Sequence, residues 1–304
     1  MSRSLVFAGS PPVAVPYLDA LVAAGFDVTM VITREDSPVG RKRVLTPTAV
    51  ANAAERLGIP VVKANRLTNV HVPDGTELGV VVAYGGLVPD SLLAEPVHGW
   101  LNVHFSELPR WRGAAPLQRA MMAGENSVGV TIFRLVSELD AGDVAHVTPV
   151  ALGDYETATE ALERIARFTA SDLSYVVESV CAGEAVFRPQ VGTPTFAAKL
   201  SRSDGRIDWA SPSTRIDAII RGVTSEPGAY STVDGNSMGI VRAVVGPTEN
   251  EWDAAIGSVA VRDRRVLVRC AEGTIELMRV KPAGKGEMSA ADWARGLNTA
   301  VIFE

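Results

Sequence analysis

Cysteine is scarce in this chain of 304 residues: Cys181 and Cys270 are the only two, far apart and outside any Cys-x-x-Cys or His-rich spacing. That argues against a disulfide framework and against a zinc site, and it points to a reducing compartment, the cytoplasm. Long apolar runs are missing too. No stretch approaches the roughly 20 residues a membrane helix needs, and the N-terminus carries no charged-then-apolar signal, so no membrane partner is expected. Positive charge is in deficit, with a net charge of -6, which ordinarily speaks against nucleic acid. The first strand runs into Phe-Ala-Gly-Ser-Pro-Pro at 7–12, which lacks the three glycines of the dinucleotide fingerprint and puts prolines where backbone donors are wanted. A nicotinamide-dependent oxidoreductase is therefore disfavoured.

What is present is a globular composition, 47% hydrophobic and 21% charged, with enough chain for one large domain or two ordinary ones. The first half alternates strand-like and helix-like runs. Residues 4–8, 27–33, 78–83, 100–104 and 128–135 read as strands, and 12–24, 47–57 and 157–180 as helices. Gly58 and Pro60 stop the second helix, and Ala161, Ile165, Phe168, Leu173 and Val176 or Val177 form the apolar stripe of the third. This alternation predicts an α/β fold, a Rossmann-like doubly wound, mostly parallel sheet. After Gly183 the texture changes to Arg-Pro-Gln-Val-Gly-Thr-Pro-Thr, which favours an extended connector. Beyond Ser203 come short strands at 229–233, 237–245, 258–261, 266–269 and 274–280, with a hairpin turn at Asp234-Gly235, as in a small OB-like β-barrel. The expected divisions are 1–183, a linker at 184–202, and 203–304.

The chemistry gathers at the fourth strand, Trp-Leu-Asn-Val-His from Trp100 to His104. Strand side chains alternate faces, so Asn102 and His104 point the same way, at the carboxyl end of a strand, where open α/β sheets bind ligands. Three loops leave this edge: 81–89, with Gly85 and Gly86 permitting close approach to a flat ligand, 105–116, and 139–143 carrying Asp140. An amide, an imidazole and a carboxylate, with no Ser or Cys nucleophile and no metal set, suit acyl transfer to an incoming amine. Asn102 and His104 serve the oxyanion and the proton path, and Asp140 is expected to orient the imidazole and favour its cationic form. From these residues alone, a structural, hydrogen-bonded Asn and His beside a turn Asp is the simpler reading. Two basic clusters, Arg34, Arg41, Lys42 and Arg43, then Arg262, Arg264, Arg265, Arg269, Arg279, Lys281 and Lys285, read by themselves as solvated faces.

Longer motifs decide between these readings. They are Phe-Ala-Gly-Ser-Pro at Phe7, Pro-Val-Gly-Arg at Pro38, Val-Ala-Tyr-Gly at Val82, Asn-Val-His at Asn102, Leu-Pro-Arg-Trp-Arg-Gly-Ala-Ala-Pro at Leu108, Gly-Val-Thr-Ile at Gly129 and Leu-Asp-Ala-Gly-Asp at Leu139. Lys-Leu-Ser-Arg-Ser-Asp-Gly-Arg-Ile-Asp-Trp at Lys199 and Pro-Gly-Ala-Tyr at Pro227 extend them. With these the chain resembles the folate-dependent formyltransferases over nearly its whole length. The arginine-bearing loop and the second-domain motif narrow the resemblance to the methionyl-tRNA formyltransferase family.

The resemblance implies Asn102, His104 and Asp140 as the catalytic set of a formyltransferase domain at 1–183. It implies 10-formyltetrahydrofolate as formyl donor and no metal. Tetrahydrofolate is expected against Tyr84, Gly85, Gly86, Leu87, Val88, Ser106, Glu107, Leu108, Pro109, Leu139 and Asp140. The implied acceptor is initiator methionyl-tRNA, for translation initiation. Arg34, Arg41, Lys42 and Arg43 would meet its acceptor end, Arg41 foremost, with Lys199, Arg202 and Arg206 in a tRNA-binding OB-like domain at 203–304. A monomer is expected. The alternative within the superfamily is an amino-sugar nucleotide or another small amine as acceptor. Two departures stand out: Phe105, where the family usually has a small residue, and Glu107, where it has Leu, so the wall beside the folate is expected to differ.

Overall fold

The computed structural model describes residues 3–40, 42–247, 253–297 and 300–304. The chain forms two compact units: one holds residues 1–116, 127–150 and 162–197, the other 117–126, 151–161 and 198–304. Among the described residues no helix is long and apolar enough to cross a membrane.

In chain order the elements up to the connector are β1 (Ser4–Gly9), α1 (Val15–Ala23), β2 (Asp27–Thr33), β3 (Ser37–Val39), β4 (Val44–Thr46), α2 (Ala49–Leu57), β5 (Val61–Lys63), β6 (Leu78–Val82) and α3 (Asp90–Leu93). There follow β7 (Trp100–His104), β8 (Arg112–Gly113), α4 (Pro116–Met122), β9 (Ser127–Arg134), β10 (Val144–Ala151), α5 (Ala158–Cys181) and β11 (Phe196–Ala197). The main sheet has the order β10-β9-β7-β6-β1-β2-β5. From β7 to β5 the neighbours are parallel, while β9 runs antiparallel to β7. Strand order reverses at β1, which has β6 on one side and β2 on the other, so the crevice beyond the carboxyl ends of β1 and β6 is the topological switch point. After Ser4, β1 is apolar and buried, as β6 is throughout, because both faces are covered.

The stripe of α5 departs from expectation at one position. Phe168 faces solvent, and the buried place four residues after Ile165 is taken by Thr169, whose hydroxyl meets the Tyr17 phenol of α1 at 2.6 Å. Phe168 is apolar by residue type but not by position, because the helical period selects 165, 169, 173 and 176. The arginine-bearing segment is also more than a loop, since β3 and β4 form a hairpin of their own.

The second unit adds α6 (Ser213–Val223), β12 (Ala229–Val233), β13 (Asn236–Val245), β14 (Val259–Arg262), β15 (Arg265–Arg269), β16 (Thr274–Pro282), β17 (Met288–Ser289) and α7 (Ala290–Arg295). Its sheet runs β12-β13-β16-β15-β14, antiparallel throughout, with β17 paired to β16. Asp234 and Gly235 take the positive φ values, 49° and 71°, that a tight hairpin turn requires. The C-terminal residues close the barrel: Phe303 bridges Val233 of β12, and Ile302 bridges Ser258 just before β14. Closure removes the open edges, and Trp209 packs on Phe303 inside with ring centroids 5.2 Å apart.

Cys181 and Cys270 are both free and buried, one in each unit. Burial pushes their thiols up to about 11 and about 12, so neither is a thiolate at neutral pH.

Candidate active site

β7 ends in the polar pair. Asn102 lies between Val81 of β6 and Phe133 of β9, and His104 sits opposite Thr131 of β9. Asn102 is half-buried, and its side-chain amide has no hydrogen-bond partner among the described residues. His104 is 5% exposed. Its Nε2 donates to the Trp111 carbonyl at 2.8 Å, because a carbonyl oxygen can only accept. In the neutral imidazole Nδ1 is then the bare nitrogen, and it lies 3.8 Å from Asp140 Oδ2.

Burial lowers the pKa of His104 more than the Asp140 carboxylate and the Trp111 carbonyl raise it. Asp140 thus favours the cation, as expected, but burial outweighs it and the balance lies with the neutral imidazole. A neighbouring carboxylate raises a histidine, but this ring is too thoroughly desolvated for that to prevail. Asp140 is also buried and accepts the Gly113 backbone N–H at 2.7 Å on the same oxygen that faces His104.

The three loops at this edge share a backbone property. Ala83 after β6, Trp111 after β7 and Asp140 after β9 all have positive φ, at 49°, 59° and 46°. Residues other than glycine rarely sit there, and such strain gathers at functional sites because surrounding structure must hold it in place.

The remaining folate-side residues divide in two. Leu87 and Leu139 expose their side chains, 81% and 48%. Tyr84 is buried, donating its hydroxyl to the Ala64 carbonyl at 2.6 Å, and burial raises its pKa. Ser106 is committed inward: its hydroxyl donates to the Arg110 carbonyl at 2.6 Å, and its own carbonyl accepts from Thr131 at 2.7 Å. Leu108 is buried and its N–H donates to Thr131 Oγ1 at 3.3 Å, while Glu107 is exposed. Phe105 does not line this edge. Its ring is buried edge-on against Tyr17 at 6.4 Å, so the bulk expected beside the folate goes into the core.

Of the basic residues, Arg41 lies outside the described residues. Lys42 and Arg43 are exposed at the turn of the β3–β4 hairpin, whose Val39, Val44 and Leu45 are exposed as well. Arg34 turns to the protein, donating to the Gly85 carbonyl and to Asn65 Oδ1 at 3.3 Å. In the second unit Lys199, Arg202 and Arg206 are exposed, with the Arg202 guanidinium 4.9 Å over the Tyr230 ring. The rest of their motif is structural. Ile207 and Trp209 enter the barrel core, and Asp204 caps Ser201 and pairs with Arg119 at 2.7 Å. In the later basic cluster, Arg265 pairs with Glu276 and Arg279 with Glu287.

Three contributors to which the motifs assign no role are Trp111, Arg112 and Gln190. Arg112 is buried and bridges Gln190 Oε1, at 3.2 and 2.8 Å, and Glu138, at 3.0 Å. A buried Arg amid Pro and Gly is a signal that the loop is internally braced.

Comparison with known proteins bears on the family and the fold. The profile described as Formyl transferase matches residues 2–177, and that described as Formyl transferase, C-terminal domain, matches residues 199–298. The methionyl-tRNA formyltransferase of Clavibacter sepedonicus is 49% identical over 303 residues, covering 98% of this chain and 99% of the relative. That of Paenarthrobacter aurescens (strain TC1) is 45% identical over 306 residues, covering 99% of each. Among solved structures, the sugar 3N-formyl transferase WlaRD superposes with a TM-score of 0.69 at 14% identity, covering 94% of this chain and 100% of the other. The methionyl-tRNA formyltransferase from Clostridium thermocellum does so with a TM-score of 0.56 at 15% identity, covering 82% and 95%. At such identities these two structures speak for the fold, whereas the matched profiles and the full-length relatives decide the family: the chain belongs to the formyl transferase family.

Proposed function

We propose that this protein transfers the formyl group of 10-formyltetrahydrofolate to the α-amino group of methionine on initiator methionyl-tRNA, the modification that precedes translation initiation. The observation that carries this reading is full-length similarity, at 49% identity, to a protein named for that activity, in a chain whose Asn102, His104 and Asp140 converge at one sheet edge. An amino-sugar nucleotide or another small amine is the less favoured acceptor, since the similarity to a sugar formyltransferase is confined to the fold.

The donor set fits the co-substrate. A half-buried amide without a partner among the described residues and a bare imidazole nitrogen lie at the sheet edge from which the loops bearing exposed Leu87 and Leu139 leave, a combination of polar and apolar groups of the kind a pterin ring occupies. Tyr84 to Val88, Ser106 to Pro109 and Leu139 to Asp140 frame the cofactor, mostly through backbone groups. 10-Formyltetrahydrofolate supplies the formyl carbon. The Asn102 amide donates to the formyl oxygen as it gains negative charge. His104 Nδ1 takes the proton that the attacking amine must lose, and Asp140 stabilises the imidazolium formed. The C–N bond to methionine forms, the bond to the folate nitrogen breaks, and the proton held at Nδ1 passes to that departing nitrogen.

Residues 1–183 serve as the catalytic domain and residues 203–304 as a tRNA-binding domain; of the stretch 184–202 between them, 184–197 belongs to the first compact unit. Lys42 and Arg43, with Arg34 and Arg41, meet the acceptor end, and Lys199, Arg202 and Arg206 meet phosphates. Both clusters supply the local positive charge that the net charge of -6 conceals. Incubating the full chain with 10-formyltetrahydrofolate and either methionyl-tRNA or small amines tests the reading. Formylmethionyl-tRNA is the expected product; equal turnover of small amines, or folate and tRNA binding without product, overturns it.

A further inference from the structure

The run 188–197, a connector by composition, is laced along the loop that touches both His104 and Asp140. β11 pairs in parallel with β8. The Arg112 N–H donates to the Thr195 carbonyl at 2.8 Å, and the Trp111 N–H to Thr195 Oγ1 at 2.9 Å. Gly113 has a φ of 120°, and a Cβ there would come within 2.8 Å of the Ala197 carbonyl, so the two backbones meet as closely as glycine allows.

At the start of this run Gln190 uses both ends of its amide. Nε2 donates to the carbonyls of Asp140 and Gly142 at 2.8 and 2.9 Å. Oε1 accepts from Nη2 and Nε of Arg112 at 2.8 and 3.2 Å. Arg112 stands between the two groups that reach the reacting pair, the Trp111 carbonyl on His104 Nε2 and the Gly113 N–H on Asp140 Oδ2. One side chain thus joins the backbone that carries the carboxylate to the backbone that holds the imidazole.

We propose that Gln190 is a positioning residue for formyl transfer, tying the strained Asp140 turn to Arg112 and so fixing the carboxylate against His104 Nδ1. The proposal rests on the reading of His104 and Asp140 as the proton-handling pair. The choice of amide follows from the partners. Two carbonyls need a donor and a guanidinium needs an acceptor, which Gln supplies from one terminus. A carboxylate satisfies Arg112 but repels both carbonyls, and Asn is one methylene short. Residual freedom of about 1 Å at a reacting group costs on the order of 100-fold in rate.

The test compares wild type, Gln190→Ala, Gln190→Glu and Glu138→Gln as full chains. Single-turnover formylation is measured across pH, and the His104 imidazole is followed by 15N NMR, its signal assigned with His104→Ala. Gln190→Ala is expected to lower kcat by about 10- to 100-fold with both KM values within about threefold. Its acid limb shifts to lower pH, because a loosened Asp140 supports the imidazolium less. Gln190→Glu falls at least as far although it keeps an acceptor for Arg112. Glu138→Gln stays near wild type, because the Glu138 side chain is 74% exposed and its ion pair is screened. The His104 titration moves down in both Gln190 variants whether or not product forms. A Gln190→Ala kcat within about twofold of wild type, or a loss that tracks thermal destabilisation while the His104 titration stays put, overturns the proposal. A wild type that makes no formylated product while its His104 titration still responds to Gln190 overturns the catalytic reading instead.

Discussion

The Trp111 carbonyl accepts from Nε2 of His104 at 2.8 Å, and this one bond decides which imidazole nitrogen can handle a substrate proton. Nε2 carries its hydrogen into the protein, so Nδ1 faces Asp140 as a base. Burial holds the group below its ordinary value of 6.5. The single-turnover rate should therefore rise with pH through a midpoint below 6.5 and be level at neutral pH. A rate that falls as His104 deprotonates would show the cation to be the working form. His104→Ala should remove about 100-fold or more of kcat, the usual worth of a positioned general base, while leaving substrate binding close to normal.

Asp140 acts on the same nitrogen through its charge. Asn in its place retains an acceptor for the Gly113 N–H, so the turn should keep its shape, but the imidazolium formed during transfer loses its counter-charge 3.8 Å away. Asp140→Asn is expected to lower kcat by about 100-fold with KM for either substrate changed a few-fold at most. The His104 pKa should drop further, since the charge of the Asp140 carboxylate raises it. Steady-state kinetics and imidazole NMR on the same sample check both halves.

The Asn102 and His104 pair could be read from sequence because strand alternation is local and β7 is short, apolar and unambiguous. Its site followed from the rule that ligands sit beyond the carboxyl ends of a doubly wound sheet. Asp140 carries no local pattern and entered through a motif. The Gln190 contacts are of a different kind, joining residues 48 to 78 positions apart through side-chain–backbone bonds that no periodicity encodes. The protonation state of His104 escaped for a related reason. A neighbouring carboxylate is visible in a motif, whereas the desolvation that overrides it is a property of the packed fold. Barrel closure by Ile302 and Phe303 was missed because one or two residues of pairing leave too short a run to show strand alternation.

Phe105 gives a prediction that separates core from cofactor. Because its ring packs on Tyr17, Phe105→Ala should destabilise the first unit by about 3 kcal/mol or more, the cost of emptying a buried aromatic site. The apparent KM for 10-formyltetrahydrofolate, measured well below the lowered unfolding temperature, should change less than about twofold. A large KM effect without loss of thermal stability would place the ring in the cofactor wall instead.

Arg34 and the hairpin-turn residues should fail differently although all belong to one basic cluster. Lys42 and Arg43 are exposed at the β3–β4 turn, so their removal takes away only long-range attraction for a polyanion. The double variant Lys42→Ala with Arg43→Ala should weaken methionyl-tRNA binding and flatten the dependence of log K on log salt by about 1 to 2, at unchanged folate KM. Arg34 instead donates to the Gly85 carbonyl in the loop after β6, beside the proposed folate surface. Arg34→Ala should raise the folate KM several-fold as well as weakening tRNA binding, because the Gly85 turn loses the donor that holds it. Folate titrations of both variants by fluorescence, with tRNA binding measured at several salt concentrations, separate the two roles; equal losses of folate and tRNA affinity in the hairpin double variant would refute the division.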